Sequence, residues 1–328
     1  MEPYIKLEKK FAEYLGTDLG VAVNTGTAAL QLALLGFGIG EGAEVIVPEF
    51  TMAATAFAVT YTGAKPVFVD CGKDLNIDVH KIEEKINLKT RAIMPVHIYG
   101  RPANMKAIMK IAQKHNLKVI EDACEAHGAE IDGKRVGSFG DAGCFSFFKN
   151  KIISSEEGGF IATNNKDFYR NIQDLKSMAF GDKHDFLHPR LGYNFRITNM
   201  QAKEALKKLD DIDLILHKRE KVLEMYDRYF KEYRIYRPIG SVPWVYDIIL
   251  PNKEMRDLWL NKLTKEGIAV RHFFKPMSMQ PIYKVKAESL KYYESLKAYD
   301  FSERGLYFPL NENITWEMVE NIKRIIYG

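Results

Sequence analysis

The feature that most constrains this chain is a repeated alternation of short β-branched runs with helical stretches through its first half. Ala22-Val23-Asn24 leads into Gly26-Thr27, after which AALQLALLGFG has helical character. Glu44–Val47 is an apolar run ended by Pro48 and followed by an Ala-rich helix, MAATAFAVTYTG. Lys65–Asp70 predicts a strand, residues 79–87 a charged helix and residues 91–95 another strand. PANMKAIMKIAQKHN predicts a helix and Lys118–Asp122 a strand. Such alternation specifies an α/β fold, a mostly parallel, doubly wound sheet covered by helices. Ligands of such sheets gather at the carboxyl ends of the strands. That rule singles out Asn24–Thr27, Pro48–Met52, His97–Gly100 and Asp122–His127 as rim segments.

The pattern changes after about Thr163. Residues 165–180 predict a helix, GDKHDFLHPRLGYN a loop, and residues 198–233 one long amphipathic helix. Trp244–Leu250 predicts a strand, and KEMRDLWLNKLTKEG a helix closed by Gly267. A strand over Ile268–Phe274 and a last helix over 315–326 complete the chain. With 328 residues, two domains are expected: a large one over 1–220 and a smaller C-terminal α/β domain over 221–328. No Pro/Gly linker separates them, so the boundary is placed inside the long helix.

Composition narrows the function classes. Lys and Arg total 47 and Asp and Glu 43, a net charge of +4 that is too weak a bias to suggest a nucleic-acid or membrane partner. No apolar run approaches the roughly 18 residues of a membrane span. The start, MEPYIKLEKKFAEYLG, lacks the apolar core of a signal peptide, so a cytoplasmic location is expected. Cys71, Cys124 and Cys144 form no CxxC or Cys/His spacing, and read as free thiols of a reducing compartment. The histidines are scattered without HExxH, and no metal is expected.

Three local signals carry chemistry. Thr25-Gly26-Thr27-Ala28-Ala29 lies between a strand and a helix, where backbone N–H groups can cradle an anion. The alternative is an ordinary helix start capped by Thr25 or Thr27. Asp122 ends an apolar strand, where a carboxylate can hold a cationic ring nitrogen or simply cap a turn. Third, the apolar run Cys144–Phe148 enters a polar loop with Lys149 and Lys151 before Gly158-Gly159 opens another apolar run. A lysine at such an edge can become a nucleophilic amine, or be a solvated loop lysine. An anion cradle, an acidic ring partner and a buried-edge lysine are together the three parts of a pyridoxal 5′-phosphate (PLP) site.

These residues sit within nine segments in register: NTGTAALQLAL, EVIVPEFTMAATAFAV, TGAKPVFVD, PVHIYG, VIEDACEAHGA, VGSFGDAGCFSFFKNK, EEGGFIAT, GYNFRITNMQA and FFKPMSMQPIY. With them the chain resembles the DegT/DnrJ-type nucleotide-sugar aminotransferases, fold-type I PLP enzymes with a large domain and a smaller C-terminal one. The resemblance implies that Lys151 is the Schiff-base lysine and Asp122 the partner of the pyridine nitrogen. It places Glu125 near the ring hydroxyl, and Gly26, Thr27, Ala28 and Ser146 around the phosphate. Met52 is implied over the ring face and His127 near the cofactor. Asn194 is implied to reach the cofactor of a neighbouring subunit, hence a homodimer with shared active sites. Lys149 stands where the family commonly has a small residue and reads as a bystander.

The resemblance further implies transfer of an amino group from L-glutamate, through pyridoxamine phosphate, to a nucleotide-linked keto sugar. Ala179–Gly181 through His188, Tyr193–Asn199 and Arg271–Pro276 look most like the branch that converts GDP-4-keto-6-deoxymannose to GDP-perosamine, with UDP- or dTDP-linked 3-keto or 4-keto sugars as the alternative. His188, Arg196, Arg271 and Lys275 are the candidate contacts to diphosphate or sugar. A sugar dehydratase of the same fold has a histidine in place of the lysine, which Lys151 argues against. A non-catalytic PLP-binding homologue is the alternative of another class. It is motivated by three departures from the family. Met52 replaces an aromatic ring, and Glu156 stands where glycine precedes Glu-Gly-Gly. The chain also opens at Glu2-Pro3-Tyr4, where relatives carry a further segment of a few dozen residues that helps form the sugar pocket; either the start is naturally short or the true start lies upstream, and part of that wall is expected to be missing from this sequence.

Overall fold

The computed structural model describes residues 1–181, 186–284 and 290–328. In chain order its elements are α1 (Pro3–Leu15), β1 (Leu19–Val23), α2 (Gly26–Gly36), β2 (Glu44–Pro48), α3 (Ala53–Tyr61), β3 (Lys65–Val69) and β4 (Thr90–Ile93). Next come α4 (Met105–His115), β5 (Lys118–Asp122), β6 (Glu130–Ile131), β7 (Lys134–Arg135), β8 (Ala142–Ser146), β9 (Gly159–Thr163) and α5 (Lys166–Leu175). The rest is α6 (Asn199–Asp210), α7 (Ile212–Phe230), β10 (Tyr246–Ile249), α8 (Lys253–Lys265), β11 (Arg271–His272), α9 (Leu290–Glu294), α10 (Lys297–Arg304), β12 (Gly305–Phe308) and α11 (Trp316–Tyr327).

The central sheet has seven strands in the order β1-β9-β8-β5-β4-β2-β3. Pairs β2–β3, β2–β4, β4–β5 and β5–β8 are parallel, whereas β9 runs antiparallel to both β1 and β8. The mostly parallel α/β fold expected from the alternation is therefore present, with β9 as its one reversed strand. The carboxyl ends of β1, β2, β4, β5 and β8 share a rim. Because β9 is reversed, its first residue, Gly159, pairs with Ser146 on that rim.

Strands β5 and β8 are almost wholly buried, since helices cover both faces. One apolar cluster joins Val21, Val45 and Ile161 to Leu30, Leu34 and Ile172 of α2 and α5. Another joins Phe145, Phe147 and Phe160 to Phe11 of α1 and Leu206 of α6. A smaller antiparallel sheet, β10-β12-β11, packs with α7, α8 and α11 around Tyr226, Trp259 and Phe308. Helix α7 spans the two regions: Ile212 and Ile215 pack with Phe145, and Val222 and Tyr226 with Phe308.

Several expectations change, and the helix expected over 165–180 ends at Leu175. The charged helix over 79–87 is instead two single 3-10 turns, Val79–Lys81 and Glu83–Lys85, because fixing a first helical turn is costly and this segment is too short to recover it. The long helix over 198–233 breaks at Asp211 (φ −100°, ψ 9°), which ends α6 and precedes α7. The strand over Ile268–Phe274 narrows to Arg271–His272, and that over Trp244–Leu250 to Tyr246–Ile249. Gly267 does close α8: it takes φ +74° and donates its N–H to the Thr264 carbonyl at 3.0 Å. Among the described residues no helix is long and apolar enough to cross a membrane.

Candidate active site

The rim holds a cavity of about 650 Å³ reached by Thr25, Gly26, Thr27, Thr51, Met52, Asp122, Glu125, Ser146 and Lys151. Its first wall is the start of α2. Thr25 is the cap, its Oγ1 accepting the Ala28 N–H at 3.0 Å, which leaves the Thr27 hydroxyl outside the cap and commits the Ala28 amide. Gly26 is required by close approach: a Cβ there would lie 2.6 Å from the Ser146 Cβ. Gly159 is required likewise, since its Cβ would meet the Thr25 carbonyl oxygen at 2.3 Å. Strand ends β8 and β9 thus press the Ser146 hydroxyl against the positive end of α2.

Asp122 lies at the cavity floor at the end of β5 and is nearly fully buried. Its Oδ2 accepts from the Thr55 hydroxyl at 2.8 Å and its Oδ1 from the Cys124 N–H at 3.2 Å. Thr55 Oγ1 is in turn 2.9 Å from Thr51 Oγ1, one turn earlier at the start of α3. The carboxylate is therefore held by donors on one side and open to the cavity on the other.

Lys151 lies in the loop joining β8 to β9. Its backbone N–H donates to the Phe148 carbonyl at 2.8 Å, a tight turn that separates it from its neighbour Lys149. The Lys151 side chain is 11% exposed and its Nζ lies 3.8 Å from Glu125 Oε1, whereas Lys149 is exposed and lines no part of the cavity. Glu125 Oε2 accepts the Tyr99 N–H at 3.0 Å. Burial, opposed by the Lys151 charge, pushes the Glu125 carboxyl up to about 7.

The other expected residues divide. Met52 stands at the mouth, 54% exposed and just before α3. His127 does not line the cavity: it is fully buried beside Phe11, Phe145 and Phe147, and neither ring nitrogen has a hydrogen-bond partner among the described residues. Burial, then the charges of Lys151 and Arg219, push it down to about 3, so it is neutral. Ala28 is likewise set back, its amide committed to the cap. Asn194 is exposed in a segment tied to β1, where the Asn24 N–H donates to the Phe195 carbonyl at 2.9 Å, and it does not line its own cavity. Arg196 is exposed beside it. His188 is exposed, its Nδ1 2.8 Å from the Met178 carbonyl; residues 182–185 of the same expected contact stretch lie outside the described residues. Arg271 is exposed on β11, and Lys275 is paired with Glu303 at 2.6 Å. None of these four residues lines the cavity.

Sequence reasoning missed the far wall, made by Trp244, Phe274 and Tyr307. The face of Trp244 lies over Lys151, with Nζ 4.1 Å from the ring centroid. Burial, more than the charge of Glu125, pushes the Tyr307 phenol up to about 12. Thr51, Thr55 and Cys124 were missed as well. A hydroxyl pair spaced i, i+4 at the start of a rim helix is the signal that could have found the first two.

Comparison with known proteins gives the family of the chain. Residues 3–326 match the model of the DegT/DnrJ/EryC1/StrS aminotransferase family. The chain belongs to that family. It is 41% identical over 289 residues to the GDP-perosamine synthase of Caulobacter vibrioides, covering 85% of this chain and 78% of the relative. It is 48% identical over 198 residues to the UDP-N-acetyl-3-dehydro-alpha-D-glucosamine 3-aminotransferase of Acidithiobacillus ferrooxidans, covering 60% of this chain and 53% of the relative. A crystal structure of a family aminotransferase from Brucella abortus superposes with a TM-score of 0.89 at 31% identity, covering 100% of this chain and 90% of that one. DegT-family aminotransferases depend on PLP, so the expectations of a sugar aminotransferase and of that cofactor are borne out.

Proposed function

We propose that this chain moves an amino group from L-glutamate to a nucleotide-linked 4-keto-6-deoxy sugar, with GDP-4-keto-6-deoxymannose as acceptor and GDP-perosamine as product. The observation that carries the reading is the convergence of the Lys151 amine, the Asp122 carboxylate and the start of α2 on one cavity. The residues present fit PLP. A phosphate fits against the Gly26 and Thr27 amides and the Ser146 hydroxyl, where added side-chain atoms at Gly26 or Gly159 have no room. A ring nitrogen fits at Asp122, whose free side faces the cavity. When bound, PLP supplies an electron sink for the pair left at the amino acid Cα as its proton departs.

This chain's residues do the rest. Asp122 holds a positive charge on the ring nitrogen, because a desolvated carboxylate favours its charged partner. Lys151 takes and returns the Cα proton as general base and acid. Glu125, poised near neutrality, sits beside that amine and balances its charge in part. Trp244, Phe274 and Tyr307 exclude water from the same space.

We also propose a homodimer. Asn194, exposed and not lining its own cavity although it lies beside the β1 end that opens into that cavity, is suited to reach a second copy's site. The exposed apolar side chains of Phe186, Leu187 and Leu191 in the neighbouring segment support a covered face there. For the nucleotide, the likeness to a UDP-sugar aminotransferase keeps UDP- and dTDP-linked keto sugars as the second reading. Incubating purified protein with PLP, L-glutamate and each keto sugar, and reading amino sugar by mass, tests the proposal. Product from the GDP sugar alone is expected. Product only from a UDP or dTDP sugar would replace the acceptor, and none from any would remove the reading.

A further inference from the structure

The indole of Trp244 faces the one amine on which the proposed function depends. Its ring centroid is 4.1 Å from Lys151 Nζ. It is held from two sides. Its Nε1–H donates to the carbonyl of Asn150, the residue before Lys151, at 2.9 Å. Its own carbonyl accepts from Arg219 Nη1 at 3.3 Å, and the same guanidinium nitrogen donates to the Leu310 carbonyl at 2.8 Å. Arg219 is buried and also paired with Glu312 at 3.5 Å. The ring is thus tied by side chain to the loop that carries Lys151, and by backbone to α7 and to the segment after β12. Its flank packs on Tyr99, 5.8 Å between centroids, whose N–H holds Glu125. Trp244 is therefore fixed relative to the loop that carries Lys151 and to Glu125, its acidic neighbour.

We propose that Trp244 is a positioning residue that seats the Lys151 ammonium on its indole face, a role that rests on Lys151 being the reactive amine. The face of an indole carries negative quadrupole density and attracts a desolvated ammonium. Glu125, 3.8 Å away, is the acidic partner at this point, and its burial weakens it as a counter-charge. A lysine that accepts a proton from Cα ends as an ammonium in an apolar cavity, which without a partner is costly. Trp244 stabilises that state and keeps Nζ at the cavity wall, from which the proton can be returned.

The test needs no bound cofactor. The apoprotein is exposed at one fixed pH to trace acetic anhydride, and acylation of Lys151 is read by peptide mass, normalised to exposed Lys149 in the same chain. Trp244→Phe keeps an aromatic face, whereas Trp244→Met fills similar space without one, so both open the cavity to a similar extent. Only the uncharged amine is acylated. The normalised rate at Lys151 is expected to be about five- to tenfold faster in the Met variant than in the Phe variant. Equal rates, or a faster Phe variant, overturn the seat. Trp244→Leu replaces the Met variant if circular dichroism shows that the latter does not fold. If the rate ratio holds while the wild-type protein transfers no amino group from glutamate, the proposed function fails and the seat stands. If transfer occurs and the ratio is one, the seat fails alone.

Discussion

The Lys151 amine lies 3.8 Å from the Glu125 carboxylate, and the two meet although one lies in the loop after β8 and the other follows β5. Parallel pairing of β5 with β8 sets them side by side: Asp122 is opposite Cys144, so the residues just beyond each strand open onto the same rim. Glu125 is buried enough that its carboxyl is pushed up to about 7, and the Lys151 charge only partly opposes this.

That shift has a stability consequence. A carboxyl whose folded value, about 7, lies above its ordinary 4.5 stabilises the fold fully below pH 4.5 and loses that contribution as pH rises to about 7. The loss amounts to about 3 kcal/mol. Glu125→Gln keeps an acceptor for the Tyr99 N–H but does not titrate. Thermal melting of the apoprotein between pH 5 and 8 is expected to fall less steeply for the variant than for the wild type. Parallel curves would mean that Glu125 is not the titrating group.

Thr55 is expected to matter through Asp122. Thr55→Val removes the hydroxyl that donates to Oδ2 at 2.8 Å and leaves a buried carboxylate short of one donor. The cost is about 1–3 kcal/mol of stability, measurable by denaturant unfolding. Cofactor affinity, read by absorbance titration with PLP, is expected to weaken at the same time. A variant of unchanged stability and affinity would show that Asp122 is held by other means.

Glu156 takes φ +64°, a backbone conformation that an L side chain adopts at a cost. The departure from glycine noted in the sequence therefore carries strain in the loop after Lys151. Glu156→Gly is expected to raise stability by about 0.5–1 kcal/mol, the relief being partly offset by the freer unfolded chain. Unfolding at lower denaturant than the wild type would contradict this.

The shared-site proposal predicts complementation. Lys151→Ala and Asn194→Ala homodimers are each expected to lack most activity. Mixing and reannealing them should recover up to about a quarter of wild-type activity, from hybrids that carry one intact site. No recovery, with hybrids present by native mass, would place Asn194 in the site of its own chain.

Much of the sheet was legible because its strands carry their own stops. Pro48 ends β2, and Asp122 ends an apolar run that matches β5 residue for residue. The near wall of the site was legible for the same reason, since Gly26, Asp122, Ser146 and Lys151 all lie within a few residues of a strand end. The far wall was not. Trp244, Phe274 and Tyr307 come from segments dozens of residues away, and only the docking of the smaller sheet brings them to Lys151. The break at Asp211 was hidden because Asp210 and Asp211 suit either a polar helix face or a helix start. Position on a rim segment also does not say which way a side chain turns: the His127 imidazole lies in the aromatic cluster of Phe11, Phe145 and Phe147.

The central claim is that Lys151 is the amine that carries the cofactor. The most direct measurement is to load the purified protein with PLP, record its visible absorbance before and after L-glutamate, reduce the loaded form with borohydride and map the pyridoxyl group by peptide mass. A visible band that shifts toward the pyridoxamine form with glutamate is expected, with the reduced group on Lys151. No band, or a group on exposed Lys149, would contradict it.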